Sequence, residues 1–226
     1  MDFGGTVGLL KDEHPDVVME SERVIADLYP DRAEVDCQFQ FHNTGKAQTV
    51  LMGFPDERGD EALHHFRAYL DGQRLAVRRV RGASLRPGRP VRGPDWYTKR
   101  VYFAAGQRRL VRDTYWQGYN EALPRTGRDH QFIYLLWTGR PWKGPIGTAD
   151  IIVRLHLGPD QRAFNAVIYL WSNGGRQDGH LAPTERSAAR LSWHLENYEP
   201  AQGQGVAVEW REGWLVQFGK PLASFA

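Results

Sequence analysis

The chain has 226 residues, of which 41% are hydrophobic and 25% charged, with a net charge of +2. That is ordinary globular composition, long enough to bury a core without staples, and it excludes a low-complexity or coiled-coil chain. The single cysteine, Cys37, excludes an intrachain disulfide, and no run approaches the ~20 apolar residues of a membrane-spanning helix.

In chain order, residues 1–16 hold glycine, proline and acids and read as a lead-in. Glu22–Leu28 reads as a strand, and Tyr29-Pro30-Asp31-Arg32 as a turn. Residues 33–42 then alternate without a break: Ala33, Val35, Cys37, Phe39 and Phe41 are apolar, and Glu34, Asp36, Gln38, Gln40 and His42 are polar. A period of two is the signature of a strand with one face on a core and one in water. Asn43-Thr44-Gly45-Lys46 turns the chain into Gln48–Phe54, and the three strands are expected to form a meander. Phe66–Leu70 and Arg74–Val80 flank the hairpin signal Asp71-Gly72. Residues 82–94, with three prolines and three glycines, read as a loop. Trp96–Phe103 and Arg108–Trp116 are expected to form a hairpin about Ala105-Gly106. After an irregular stretch, 117–131, come short strands at Phe132–Thr138, Ala149–Leu157, Ala163–Trp171, Ala188–Leu195, Val206–Arg211 and Trp214–Phe218. Thr184–Ala189 is the one place for a short helical turn.

Many short strands at such spacing imply an all-β protein with few or no helices. Two packed β-sandwich-like domains are expected, residues 1–118 and 119–226, with one continuous sandwich as the alternative.

Three stretches carry a resemblance. They are Met19-Glu20-Ser21-Glu22 through Phe41-His42-Asn43-Thr44-Gly45 to Met52-Gly53-Phe54-Pro55; Tyr134 through Gly147, with the motif Thr-Gly-x-x-Trp-x-Gly-Pro-Ile-Gly; and Asn197-Tyr198-Glu199-Pro200. Together they resemble a family of exported bacterial proteins classed only as a domain of unknown function. The resemblance implies a secretory leader, an extracellular or cell-envelope location and no established catalytic residues. Met1-Asp2-Phe3-Gly4-Gly5 has neither the basic nor the apolar segment of a leader, so a cytoplasmic location stays open.

The candidate sites follow from charge and aromatic content. Arg74 to Arg112 holds twelve basic residues and one acid, Asp95. It is either an anion-binding face, centred on Arg86, Arg89 and Arg92, or a stretch neutralised by the acid-rich segment Asp2–Asp36. No nucleic-acid-binding motif accompanies it. Trp96, Tyr97, Tyr115, Trp116 and Tyr119 can supply aromatic faces for a sugar, or core filler. Trp137 and Trp142 flank the glycine- and proline-rich turn 137–147, which reads as a rigid corner with its tryptophans packed inward or as a ligand platform. His64 and His65, adjacent on a strand, are expected to point to opposite faces. Asp129-His130, His156 and His194 with Ser172, Ser187 or Ser192 lack a nucleophile elbow. Asp56, Glu57, Asp60 and Glu61 can supply a carboxylate pair for glycoside hydrolysis or form a solvated rim. No catalytic residue, metal or cofactor is assigned. The expected function is a non-enzymatic exported protein that binds a glycan or another envelope protein, or serves structurally. The alternatives are a polysaccharide-active hydrolase and a self-assembling subunit.

Overall fold

The computed structural model describes residues 4–5, 8–9, 16–56, 63–80, 95–122, 128–158, 161–172 and 175–212. Its strands are β1 (Gly4–Gly5), β2 (Gly8–Leu9), β3 (Val17–Leu28), β4 (Ala33–Asn43), β5 (Gln48–Asp56), β6 (His64–Leu70), β7 (Gln73–Leu75), β8 (Arg78–Val80) and β9 (Asp95–Phe103). They continue with β10 (Arg108–Gln117), β11 (Asn120–Ala122), β12 (Arg128–Leu135), β13 (Ile146–Leu155), β14 (Arg162–Ser172), β15 (Gly175–Leu181), β16 (Glu185–Arg186), β17 (Arg190–Tyr198) and β18 (Gln204–Glu212). Among the described residues the one helical element is a 3-10 turn, Trp137–Gly139. The protein is all-β.

Three sheets form. The largest has the order β16-β17-β13-β3-β4-β10-β6-β7, a second β1-β12-β18-β14-β15 with β11 on β12, and a third β2-β5-β9-β8. In the largest, β3 pairs in parallel with β13, Arg23 facing Asp150 and Val24 facing Ile151. A boundary at 118/119 would therefore cut through one continuous sheet, and the larger of two apolar clusters among the described residues runs from Val17 to Trp210. Strands from 1–118 and from 119–226 share that sheet, and the cluster draws on both segments. Residues beyond 212, including the expected strand Trp214–Phe218, lie outside the described residues.

The alternation in β4 does what the pleat requires. Val35, Cys37, Phe39 and Phe41 are buried, and Glu34, Asp36, Gln38 and Gln40 are half-buried or exposed. The inner face of the large sheet meets both other sheets. Phe41 packs edge-on to Phe103 of β9, and Phe54 of β5 packs on Tyr115 and Phe66. On the β3 side, the Tyr134 hydroxyl of β12 donates to Glu22 at 2.8 Å.

Two expected neighbours separate. β5 leaves the meander to pair with β9, while β4 pairs with β10. The turn at Ala105-Gly106, with Gly106 at φ +70°, is accordingly a corner between sheets and not a hairpin. Buried Asn43 ties the two crossings together, its Nδ2 donating to the carbonyls of Lys46 and Ala104 at 2.8 and 2.9 Å. Asp71 and Gly72, at φ 49° and 83°, do make the expected hairpin between β6 and β7. Arg74–Val80 splits, because β7 joins the large sheet and β8 the four-stranded one. The expected helical turn at Thr184–Ala189 is instead the short edge strand β16.

Candidate functional site

The outer face of the large sheet, which has the most strands, is the broadest surface that the register defines. One row across it reads Arg23 on β3, Gln38 on β4, Arg112 on β10, Tyr69 on β6 and Arg74 on β7. The next row holds Ile25, Asp36, Thr114 and Arg67, and the one after that Asp27, Glu34, Trp116 and His64. Arg23, Arg67, Arg74 and Arg112 are exposed, and Tyr69 and Trp116 are half-buried. A bulge between Thr114 and Trp116 re-aims β6, with His65 at φ 52°. His64 stacks on Trp116 at 3.8 Å between centroids and His65 lies at 6.2 Å from the same ring. The expectation that the two histidines diverge fails here because the bulge breaks strand alternation.

Much of the basic stretch is neutralised internally, partly by the N-terminal acids. Arg112 binds Asp36 through Nε and Nη2 at 2.9 and 2.7 Å, with its guanidinium 5.7 Å from the Tyr69 centroid. Arg108 pairs with Glu20, which also meets His42 at 3.2 Å. Arg109 pairs with Asp71 at 2.8 Å. Arg79 holds both Asp56 and Asp95, at 2.8 and 3.1 Å. Arg86, Arg89 and Arg92 lie outside the described residues, as do Glu57, Asp60 and Glu61.

Charged groups also occupy the interior. Lys99 points inward from β9, beside Met52, and forms an ion pair with Asp113 of β10; both side chains are fully buried. Burial pushes the Asp113 carboxyl up and the Lys99 ammonium down, while each partner's charge opposes the shift on the other. Asp113 sits between Cys37 and Ala68 in register. Burial also raises the Cys37 thiol far above its ordinary value, so this cysteine is core and inert at neutral pH. Asp56 is raised too, by burial first, and accepts from the Leu63 amide at 3.2 Å.

The aromatic residues singled out from sequence divide sharply. Trp96 is fully buried, and Trp142 is buried against Phe41 at 4.4 Å. Tyr119 is buried edge-on to Trp210 at 4.3 Å, its hydroxyl 2.6 Å from the Tyr29 carbonyl. Tyr115 is buried between the large and four-stranded sheets. Tyr97 is half-buried, stacked on Phe66 at 4.3 Å, and donates to the Leu63 carbonyl. Trp116 and Trp137 keep part of their surface in solvent. The turn 137–147 is ordered, joining β12 to β13, with Trp142 inward and Trp137 half-buried. Gly144 has φ +68°, and a Cβ on Gly147 would lie 2.4 Å from the Glu20 carbonyl oxygen.

The remaining histidines and serines are held by other partners. His156 and Arg154 both contact Asp27. His194 Nδ1 lies 2.6 Å from Asp150, and Asp150 and Glu196 raise its pKa. His130 is buried and stacked on Trp210. Ser192 donates to Glu185, and Ser187 closes the turn to Arg190. Ser172 has no described side chain. Sequence reasoning missed Arg23, Arg67 and Tyr69, whose shared face depends on which strands become neighbours; the one available signal was that each precedes or follows an inward apolar residue.

No family model matches the chain, and no curated protein matches it. Among solved structures it is similar to a candidate nutrient binding protein from Legionella pneumophila, with a TM-score of 0.65 and 16% identity over 92% of this chain and 70% of that one. It also matches an M1 zinc metallopeptidase from Deinococcus radiodurans, with a TM-score of 0.42 and 13% identity over 87% of this chain and 43% of that one. The second likeness is too weak to carry an argument, and the first establishes a shared all-β fold.

Proposed function

We propose that the protein is a non-enzymatic binding module, exported to the cell envelope or extracellular space, whose outer sheet face receives a glycan or another envelope partner. The observation that supports this most is the broad exposed face itself, where Trp116 stacked on His64 lies two rows along from Tyr69 and Arg112. A flat surface mixing half-exposed rings with guanidinium and amide groups suits adhesion to an extended ligand. The interior titratable groups fit a structural role, since Asp113 is held by Lys99 and Asp56 by Arg79 and the Leu63 amide. The resemblance to exported proteins supports the location, and the neighbour from Legionella agrees with a binding role by name alone.

Affinity electrophoresis through gels containing neutral and acidic polysaccharides tests this reading, with a reducing-end assay on the same polymers. Retardation without new reducing ends, weakened by Trp116→Ala at unchanged melting temperature, is the expected result. Release of reducing ends would establish the hydrolase instead. Concentration-dependent assembly without polymer retardation would establish a self-assembling subunit.

A further inference from the structure

We infer that the ligand class is an acidic polysaccharide, bound across β3, β4, β10, β6 and β7 by Arg23, Arg67, Arg74 and Arg112. This deepens the binding-module reading and rests on it. The two rows that carry these arginines hold four guanidinium groups and one described carboxylate between β3 and β7, Asp36. Asp36 is already spanned by Arg112. Asp150, beside Arg23 on β13, is engaged by His194. Arg23, Arg67 and Arg74 are exposed and make no ion pair with any described residue. Elsewhere on this face cations and acids are matched: Arg108 with Glu20, Arg154 with Asp27, Arg32 with Glu34. The surplus positive charge is therefore local.

The spacing selects the kind of polyanion. Arg23 and Arg112 are two strands apart, as are Arg112 and Arg74, which places their origins about 10 Å from one another along the row. Arg67 lies two residues along β6 from Tyr69, about 7 Å away. Duplex nucleic acid carries a charge every ~1.7 Å of axis and would meet too few cations here. A polymer with carboxylates on alternate or successive sugars presents sparser charge with hydroxyls between. Gln38 and Thr114 lie between the arginines to meet those hydroxyls, and Tyr69 and Trp116 offer ring surface to the sugar faces. A guanidinium fork matches a carboxylate's two oxygens.

The test uses polygalacturonate, with dextran as the neutral polymer, in a salt series from about 50 to about 300 mM. Wild-type protein is expected to bind polygalacturonate, not dextran, and to lose binding steeply with salt. The variant R23S/R67S/R74S should bind about tenfold or more weakly with an unchanged melting temperature. The control R78S/R100S/R140S, which removes the same charge from exposed positions elsewhere, should bind as wild type. Equal losses in both variants would reduce the effect to net charge and overturn the site. Binding to dextran but not polygalacturonate would overturn the inference and leave the binding module standing. Equal or tighter binding to a 30-base-pair duplex or to phosphatidylglycerol vesicles would overturn the ligand class. No binding to any of these would overturn the inference and, with it, the glycan form of the reading beneath it.

Discussion

Removing one partner of the Lys99–Asp113 pair should cost far more than removing both. Each side chain is fully buried, with Phe66 5.6 Å from the ammonium. Lys99→Met leaves the Asp113 carboxylate without its counter-charge among Cys37 and Ala68. An uncompensated buried charge costs about 3–5 kcal/mol, a large part of a typical domain's ~5–15 kcal/mol. Asp113→Val should cost a similar amount by stranding the ammonium. Valine fits because its cross-strand neighbours, Cys37 and Ala68, are small. The double variant leaves two apolar groups where two charges met, and its stability should lie between wild type and about 4 kcal/mol above it. Urea unfolding at pH 7, with the dependence on denaturant compared across all four proteins, gives the coupling energy. A Lys99→Met cost under about 1 kcal/mol, or a double variant equal to the sum of the singles, would refute the account of a desolvated ion pair.

Phe39→Ala should cost about 3–5 kcal/mol, because Phe39 is fully buried in the continuous core; a near-neutral shift of the unfolding midpoint would count against that. Gly144→Val forces a β-branched residue to φ +68° and should cost at least about 1–2 kcal/mol without changing polysaccharide retardation; loss of binding at full stability would instead make the 137–147 turn a ligand platform. The Asp129 carboxyl is held below its ordinary value first by its hydrogen bond from Arg211. Its stabilisation is therefore present above the unfolded value of about 3.9 and is lost as pH falls through the lower folded value. Asp129→Asn should melt lower at pH 7, and the difference from wild type should shrink as pH falls below about 4; parallel melting curves across that range would contradict the assignment.

Local pattern carried much of the fold. The alternation of residues 33–42 placed Ala33, Val35, Cys37, Phe39 and Phe41 inward, as β4 has them, while Asn43, read as a turn residue, is buried at the strand's end; Asp71-Gly72 announced its hairpin through residues that tolerate positive φ. What local pattern does not encode is which strands meet. β4 and β5 are adjacent in sequence and lie in different sheets, while β3 and β13 are distant and paired. The outer face was illegible for the same reason, since Arg23, Arg67 and Arg74 become neighbours only through that order. Lys99 and Asp113 were hidden differently. Charged residues in a strand ordinarily mark its wet side, and only the apposition of two sheets turns them inward together. Trp96, Tyr119 and Trp142 were conspicuous as aromatics, yet burial depends on what covers a ring, which spacing does not reveal.

The parallel pairing of β3 with β13 orders events during synthesis. When residues 17–117 have left the ribosome, β3, β4, β10 and β6 can already associate, but the β13 side of β3 still exposes its unpaired amides and carbonyls. That edge is closed only after the chain has grown past residue 155, more than a hundred positions beyond the end of β3. Until then the nascent chain presents a long adhesive border along β3. Long-range closure of this kind is slow relative to local hairpins, so the interval is one in which holdase chaperones have a defined strand edge to shield.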